Sequence, residues 1–216
     1  EKDLRIAEIS ASFLGGPVKI KGGTQDGRLL VVANGSLAID EVRRRFELPL
    51  LDALSGTTAY RLEVGSKKRS VEFVLDSNLV GVASTLSAPF AKSASEPLAL
   101  HLESAALPAP ARSGPAIVRE QLRATLGNVF NMQLIRRRQG EESVPERGAI
   151  AIGRPLAALP ELGISVGLTT RLLDVDYWQN ALRGGGRTGG SAALTALPLA
   201  VDLKVEEVIL LGKHYS

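Results

Sequence analysis

The stretch TTAYRLEVGSKKRSVEFVLD, residues 57–76, decides the fold. Tyr60, Leu62 and Val64 alternate with Arg61 and Glu63. Beyond a basic turn at 67–69, Val71, Phe73 and Leu75 alternate with Ser70, Glu72 and Asp76. Period-two alternation on both sides of a polar turn predicts an antiparallel hairpin with one buried face. Downstream, residues 79–89 lose the alternation and end in a proline, as an edge or an irregular return does. Leu98, Leu100 and Leu102 then alternate with Ala99, His101 and Glu103 as a further strand.

Upstream the same grammar holds. DLRIAEIS (3–10) reads as a strand with Leu4 and Ile6 on one face and Ala7 and Ile9 on the other. Gly15-Gly16-Pro17 is a turn, and Val18 and Ile20 begin the next strand. RLLVVANGSL (28–37) is apolar on both faces, as a covered central strand would be, and Asn34-Gly35 ends it. Asp40 caps a short helix near 40–46 that stops before Pro49.

Past residue 104 the composition shifts. AALPAPARSGP (105–115) has the alanine and proline content of a linker. It divides the chain into a β-rich module at 1–104 and a second at 116–216. In the second, Leu122, Ala124 and Leu126 alternate, followed by Phe130, Met132 and Leu134. QGEESVPERG (139–148) reads as a polar surface loop. Ile164, Val166 and Leu168 share one strand face. Asp174 or Asp176 caps a helix near 176–182, and Val201, Leu203 and Val205 point inward from a late strand. The two Asp-capped helices, each placed after strands, form a weak internal echo.

Composition narrows the classes. A chain of 216 residues buries about 70% of its unfolded surface if compact. Hydrophobic content is 44% against 4% aromatic, which suits aliphatic sheet surfaces. The absence of cysteine excludes disulfides, thiolate metal sites and a Cys nucleophile, and is compatible with an oxidising compartment such as the periplasm. No apolar run is long enough to span a bilayer, and no stretch of the chain reads as a signal peptide. Beginning in a strand-like run and stopping without a closing element, the chain reads as an internal piece of a longer one. Basic clusters at 43–45, 67–69 and 136–138 lack interleaved aromatics, so they read as solvated turns and helix faces rather than a nucleic-acid surface.

No constellation supplies chemistry. Gly184, Gly186 and Gly189 satisfy G-x-G-x-x-G, but a helix precedes them and a strand-like run follows, the reverse of a dinucleotide site. Asp174-Val175-Asp176 resembles a paired-carboxylate metal motif, yet capping accounts for one carboxylate and solvation for the other. His101 sits on the polar side of a strand and His214 near the end, with no nucleophile elbow around either. Trp178 reads as the anchor of its helix. The expectation is no catalysis, no metal and no cofactor.

The strings FLGGPVKIKGGT (13–24), RRRFELPLLDALSG (43–56), GVASTLSAPFAKSASEPLALHLE (81–103) and LLDVDYWQNAL (172–182) resemble the AsmA/TamB family of bacterial envelope proteins, in its YhdP-like group. The likeness runs in order through most of the chain. It implies a periplasmic segment of an inner-membrane-anchored protein whose strands build a long curved groove, thought to conduct phospholipids between inner and outer membranes. It carries over no catalytic residue.

The resulting expectation is a mainly β chain: curved antiparallel sheet with an apolar concave face, of β-groove type, and one short helix in each half. Such a face shields acyl chains at about 0.8 kcal/mol per buried methylene, with headgroups at a polar rim. Candidate lining residues are Leu62, Val64, Val71, Phe73, Leu75, Leu98, Leu100, Leu102, Val201 and Leu203. Alternation alone leaves open whether these line a groove or fill a closed sandwich core. Partners are phospholipid acyl chains, neighbouring segments of the same polypeptide and other envelope proteins. The alternatives are a structural or interaction module of an envelope protein that conducts no lipid, and a soluble enzyme or carbohydrate-binding β domain.

Overall fold

The 57–76 hairpin forms as its alternation dictates. In the computed structural model, β4 (Leu54–Lys67) and β5 (Ser70–Ser77) pair antiparallel, with Leu62 opposite Leu75 and Val64 opposite Phe73. The structure describes residues 5–25, 28–46, 48–67, 70–108, 117–139, 142–183 and 197–216. The tip of the basic turn, the glycine-rich run from 184 and most of the alanine-proline stretch lie outside them.

From that hairpin the sheet spreads both ways. On one side β3 (Arg28–Ala38), β2 (Gly16–Gln25) and β1 (Arg5–Phe13) follow as a meander. On the other come β7 (Leu100–Ala106), β8 (Ile117–Leu126), β9 (Phe130–Gln139) and β10 (Glu142–Ile152), all antiparallel. β6 (Val82–Ser84) folds back onto the start of β4. The last strands, β11 (Gly163–Asp174), β12 (Leu199–Leu210) and β13 (Lys213–Tyr215), complete one open, curved 13-stranded sheet. β7 and β8 flank the 105–115 stretch and pair with each other, so both halves share this sheet.

The sheet is mixed at one end. β10–β11 and β11–β12 pair parallel, because each is joined by a crossover rather than a tight turn. Residues 153–162 make the first crossover. The second contains α2 (Val175–Arg183). The other helix, α1 (Ile39–Arg45), and a 3-10 turn (Pro49–Ala53) lie between β3 and β4.

Several local readings change. Asn34-Gly35 does not end β3, which continues to Ala38. A Cβ on Gly35 would lie 2.7 Å from the Pro17 carbonyl oxygen, so glycine serves close strand approach here. Nor is β3 covered on both faces, since Leu30 is 45% exposed. Residues 139–148 are largely strand instead of loop: β10 pairs with β9 from Glu142 onward, with Pro145 beside a register shift, where a strand tolerates proline. Another shift between Ile6 and Ile9 of β1 breaks the simple alternation there and brings Ile9 opposite Ile20.

The helix ends differ from each other. Ala38 is the N-cap of α1 and supplies no side-chain hydrogen bond; Asp40 sits inside the first turn and pairs with Arg43 at 3.0 Å. Asp174 caps α2, accepting a 2.8 Å bond from the Tyr177 amide. Asp176 is not left to solvent. Its two oxygens accept from the Leu211 and Gly212 amides at 2.9 and 2.8 Å, tying α2 to the β12–β13 turn.

Candidate functional site: one apolar face

Register decides what the separate strands build together. Across β1 to β4, Ile9, Ile20, Ala33 and Leu62 stand opposite one another in turn. The row continues through Leu75, Leu102, Ala124 and Met132 on β5, β7, β8 and β9. It ends through Ile150, Val166 and Val201 on β10, β11 and β12. Every member is apolar, and paired residues share a face.

Flanking rows repeat this, with Ser104 the polar exception in the first. On one side Val31, Val64, Phe73, Ser104, Leu122, Leu134, Gly148, Ile164 and Leu199 align. On the other, Leu100, Leu126, Phe130, Ile152, Leu168 and Leu203 do. The opposite face carries Lys19, Asn34, Arg61, Asp76, His101, Thr125 and Asn131 in one row. His101 Nδ1 meets Asp76 Oδ1 there at 2.7 Å.

Nine of the ten candidate lining residues therefore share the apolar face. Leu98 precedes β7; its amide donates to the Asn78 carbonyl at 2.8 Å. The nine differ in environment. Leu62 and Leu75 pack on a buried cluster of Val18, Ala33 and Tyr60, so they do core work. Val71, Val201 and Leu203 are 48%, 53% and 55% exposed. Alternation was visible in β8, β9 and β11 as well, but only register joins Ala124, Met132, Ile150 and Val166 to the same row.

No second sheet packs on this face among the described residues. Strand contacts run between neighbours in the sheet, and the remaining close element contacts involve α1, α2 or the 3-10 turn. The accessible surface, 14023 Å², exceeds the roughly 9,600 Å² of a compact monomer of this length. A single-layer sheet has that consequence.

One end of the sheet carries the connection between β5 and β7. Residues 78–99 gather there, stapled by Lys92, whose buried ammonium donates to the carbonyls of Leu79, Val82 and Ser93 at 2.9, 2.8 and 2.9 Å. Trp178 of α2 meets Phe90 of this segment, and the Tyr177 hydroxyl donates to the Thr85 carbonyl at 3.3 Å. Trp178 is thus an anchor, as its sequence context predicts, but to a segment of the other half.

Toward the opposite end lies a cluster that sequence reading missed. Glu120, 2% exposed, pairs through Oε2 with Arg136 at 3.0 Å and through Oε1 with Arg138 at 3.1 Å. Two arginines of the 136–138 run are therefore not merely solvated. Arg137 falls on the other face, opposite Arg119, which pairs with Glu146. A lone Glu amid alternating apolar residues was the available signal.

Among the described residues no group of acidic, His or Cys side chains is placed to hold a metal, and no helix is long and apolar enough to cross a membrane. Fold and face together define a class: an open single-layer β protein with one largely apolar face and an opposite face that is polar along the row from Lys19 to Asn131. Within that class, the chain belongs to the YhdP family, whose model, described as YhdP protein, matches residues 1–216. The family is associated with the cell envelope. No curated protein and no solved structure matches the chain.

Proposed function

We infer that this chain is a segment of an AsmA-like periplasmic bridge that shields phospholipid acyl chains passing between the inner and outer membranes. The observation that carries the reading is the unbroken apolar row from Ile9 to Val201 with no second sheet laid over it among the described residues. A closed sandwich would cover such rows with the inner face of a second sheet. Acyl chains can take that place without specific hydrogen bonds, and equivalent apolar positions along the row favour no single resting point. On this reading the protein is no enzyme. Its parent is anchored in the inner membrane, and neighbouring segments of the same polypeptide extend the face.

A second reading, a structural or interaction module, draws on β12. β13 pairs only with Val208, Ile209 and Leu210, so residues 199–207 of β12 present an edge with no partner among the described residues. An unpaired strand edge accepts an added strand from another protein.

Native mass spectrometry after incubation with phosphatidylethanolamine–phosphatidylglycerol vesicles separates the two. The groove reading expects phospholipid adducts on the wild type and their loss in Val201→Asp/Leu203→Asp, with the circular dichroism of the sheet retained. A folded wild-type chain that takes up no lipid overturns it.

A further inference from the structure

Glu120 is the largest fully buried side chain in the described structure, and it lies on the largely apolar face. Burying a carboxylate is unfavourable unless charges and hydrogen bonds compensate it. Here both oxygens are engaged by guanidinium groups, Oε2 by Arg136 Nε and Nη2 and Oε1 by Arg138 Nε. The arginines are not consumed by the pairing. Their side chains stay 31% and 35% exposed, and Arg138 meets Glu120 through its Nε. On this face of β7, β8 and β9 no other carboxylate stands among the described residues. One acid and two arginines leave a net charge of +1, held by an anchor that cannot swing away.

The surroundings are ordered along the strands. In β9 the same face reads Arg138, Arg136, Leu134, Met132, Phe130; in β8 it reads Glu120, Leu122, Ala124, Leu126. From Arg136 to Phe130 is six residues, about 20 Å of strand. One leaflet of a bilayer's hydrocarbon core is about 15 Å deep. An amphiphile lying along β9 with its charged end at Arg136 would keep its whole chain over apolar side chains.

We propose that Glu120 holds Arg136 and Arg138 as a binding pair for the phosphate of a phospholipid headgroup, at the rim of the apolar face. The proposal rests on the groove reading and adds to it an orientation: headgroups at the Arg136 end, chains toward Phe130. Guanidinium suits this task because its planar fork matches phosphate oxygens.

The test titrates the full chain with dodecyl phosphate, with uncharged dodecyl maltoside of equal chain length, and with inorganic phosphate. The wild type is expected to bind dodecyl phosphate at least about tenfold more tightly than dodecyl maltoside. In Arg136→Gln/Arg138→Gln, checked by circular dichroism, that ratio falls to about one, while Arg136→Lys/Arg138→Lys retains part of it. If the double variant misfolds, Arg138→Gln alone, which loses one contact of a half-exposed residue, lowers the ratio about threefold. An unchanged ratio in the folded glutamine variants overturns the proposal. So does inorganic phosphate binding as tightly as dodecyl phosphate, which would mark a free-anion site. Wild type that binds both amphiphiles equally leaves the groove reading standing and removes only the headgroup site; wild type that binds neither removes both.

Discussion

Trp178 meets Phe90 edge to face, with ring centroids 5.6 Å apart and planes at 78°, although they belong to opposite halves of the chain. Phe90 follows β6, which pairs with β4; Trp178 lies on α2, directly after β11. Five strands stand between β4 and β11, so the path along the sheet is six spacings, about 29 Å. Two side chains close that distance because the sheet curves and the connecting segments at one end reach across. The contact ties the segment after β6 to the helix after β11.

Removing either ring should loosen that end. Phe90→Ala and Trp178→Ala each lower stability, and a double-mutant cycle returns a coupling of about 1 kcal/mol. As Trp178 is the only tryptophan, its emission shifts to longer wavelength in Phe90→Ala. Strictly additive effects in urea melts would show that the rings do not cooperate.

Lining and core positions should separate under the same substitution. Leu75→Asp places a carboxylate against the Val18–Ala33–Tyr60 cluster and destabilises by roughly 3 kcal/mol or more. Leu203→Asp, at a residue 55% exposed, changes stability by less than about 1 kcal/mol. Denaturant midpoints compare the two directly. Equal losses would mean that Leu203 is covered in solution.

Lys92→Met keeps most of the length of the side chain but removes the ammonium that donates to three backbone carbonyls. Carbonyls left without partners, together with the loss of charge-assisted bonds, lower stability by roughly 2–4 kcal/mol. Hydrogen exchange should rise first in residues 79–93. Uniform exchange across the sheet would contradict a local staple.

Gly148 stands between Leu134 and Ile164 on the apolar face. A Cβ there would lie 2.9 Å from Leu134 Cδ1 and 3.0 Å from Ile164 Cδ1. Gly148→Val therefore destabilises by about 1–3 kcal/mol through overpacking. A neutral thermal melt would show that the two side chains can part freely.

Acid should release the β12–β13 turn. The Gly212 and Leu211 amides, which both donate to Asp176, hold its carboxyl below the usual value of 3.8. A depressed folded pKa contributes stability above the unfolded value, and this contribution fades as pH falls through the folded one. Amide chemical shifts of Leu211 and Gly212 should thus stay constant down to about pH 4 and move only below it. Asp176→Asn, which cannot carry the charge, abolishes that movement. A transition at the same pH in the Asn variant would assign it to another group.

Much of this protein was written in its sequence alone. Alternation put Leu62, Val64, Phe73 and Leu75 on one side of their hairpin, and the same period marked β8, β9 and β11. Asp174 or Asp176 announced a helix start, and the quoted strings of residues pointed to the family. These features are local: which way a side chain points in a strand depends on its own position parity, and a cap depends on residues three apart. The tertiary structure alone decided the rest. It set the register that threads eleven strands into one apolar row, the crossovers that turn the last pairs parallel, the meeting of Glu120 with Arg136 and Arg138, and the reach of Trp178 to Phe90. Each depends on which strand lies beside which and at what offset. A period of two repeats identically along a strand and carries no record of its neighbour's register, which pairing, turn geometry and packing must choose together.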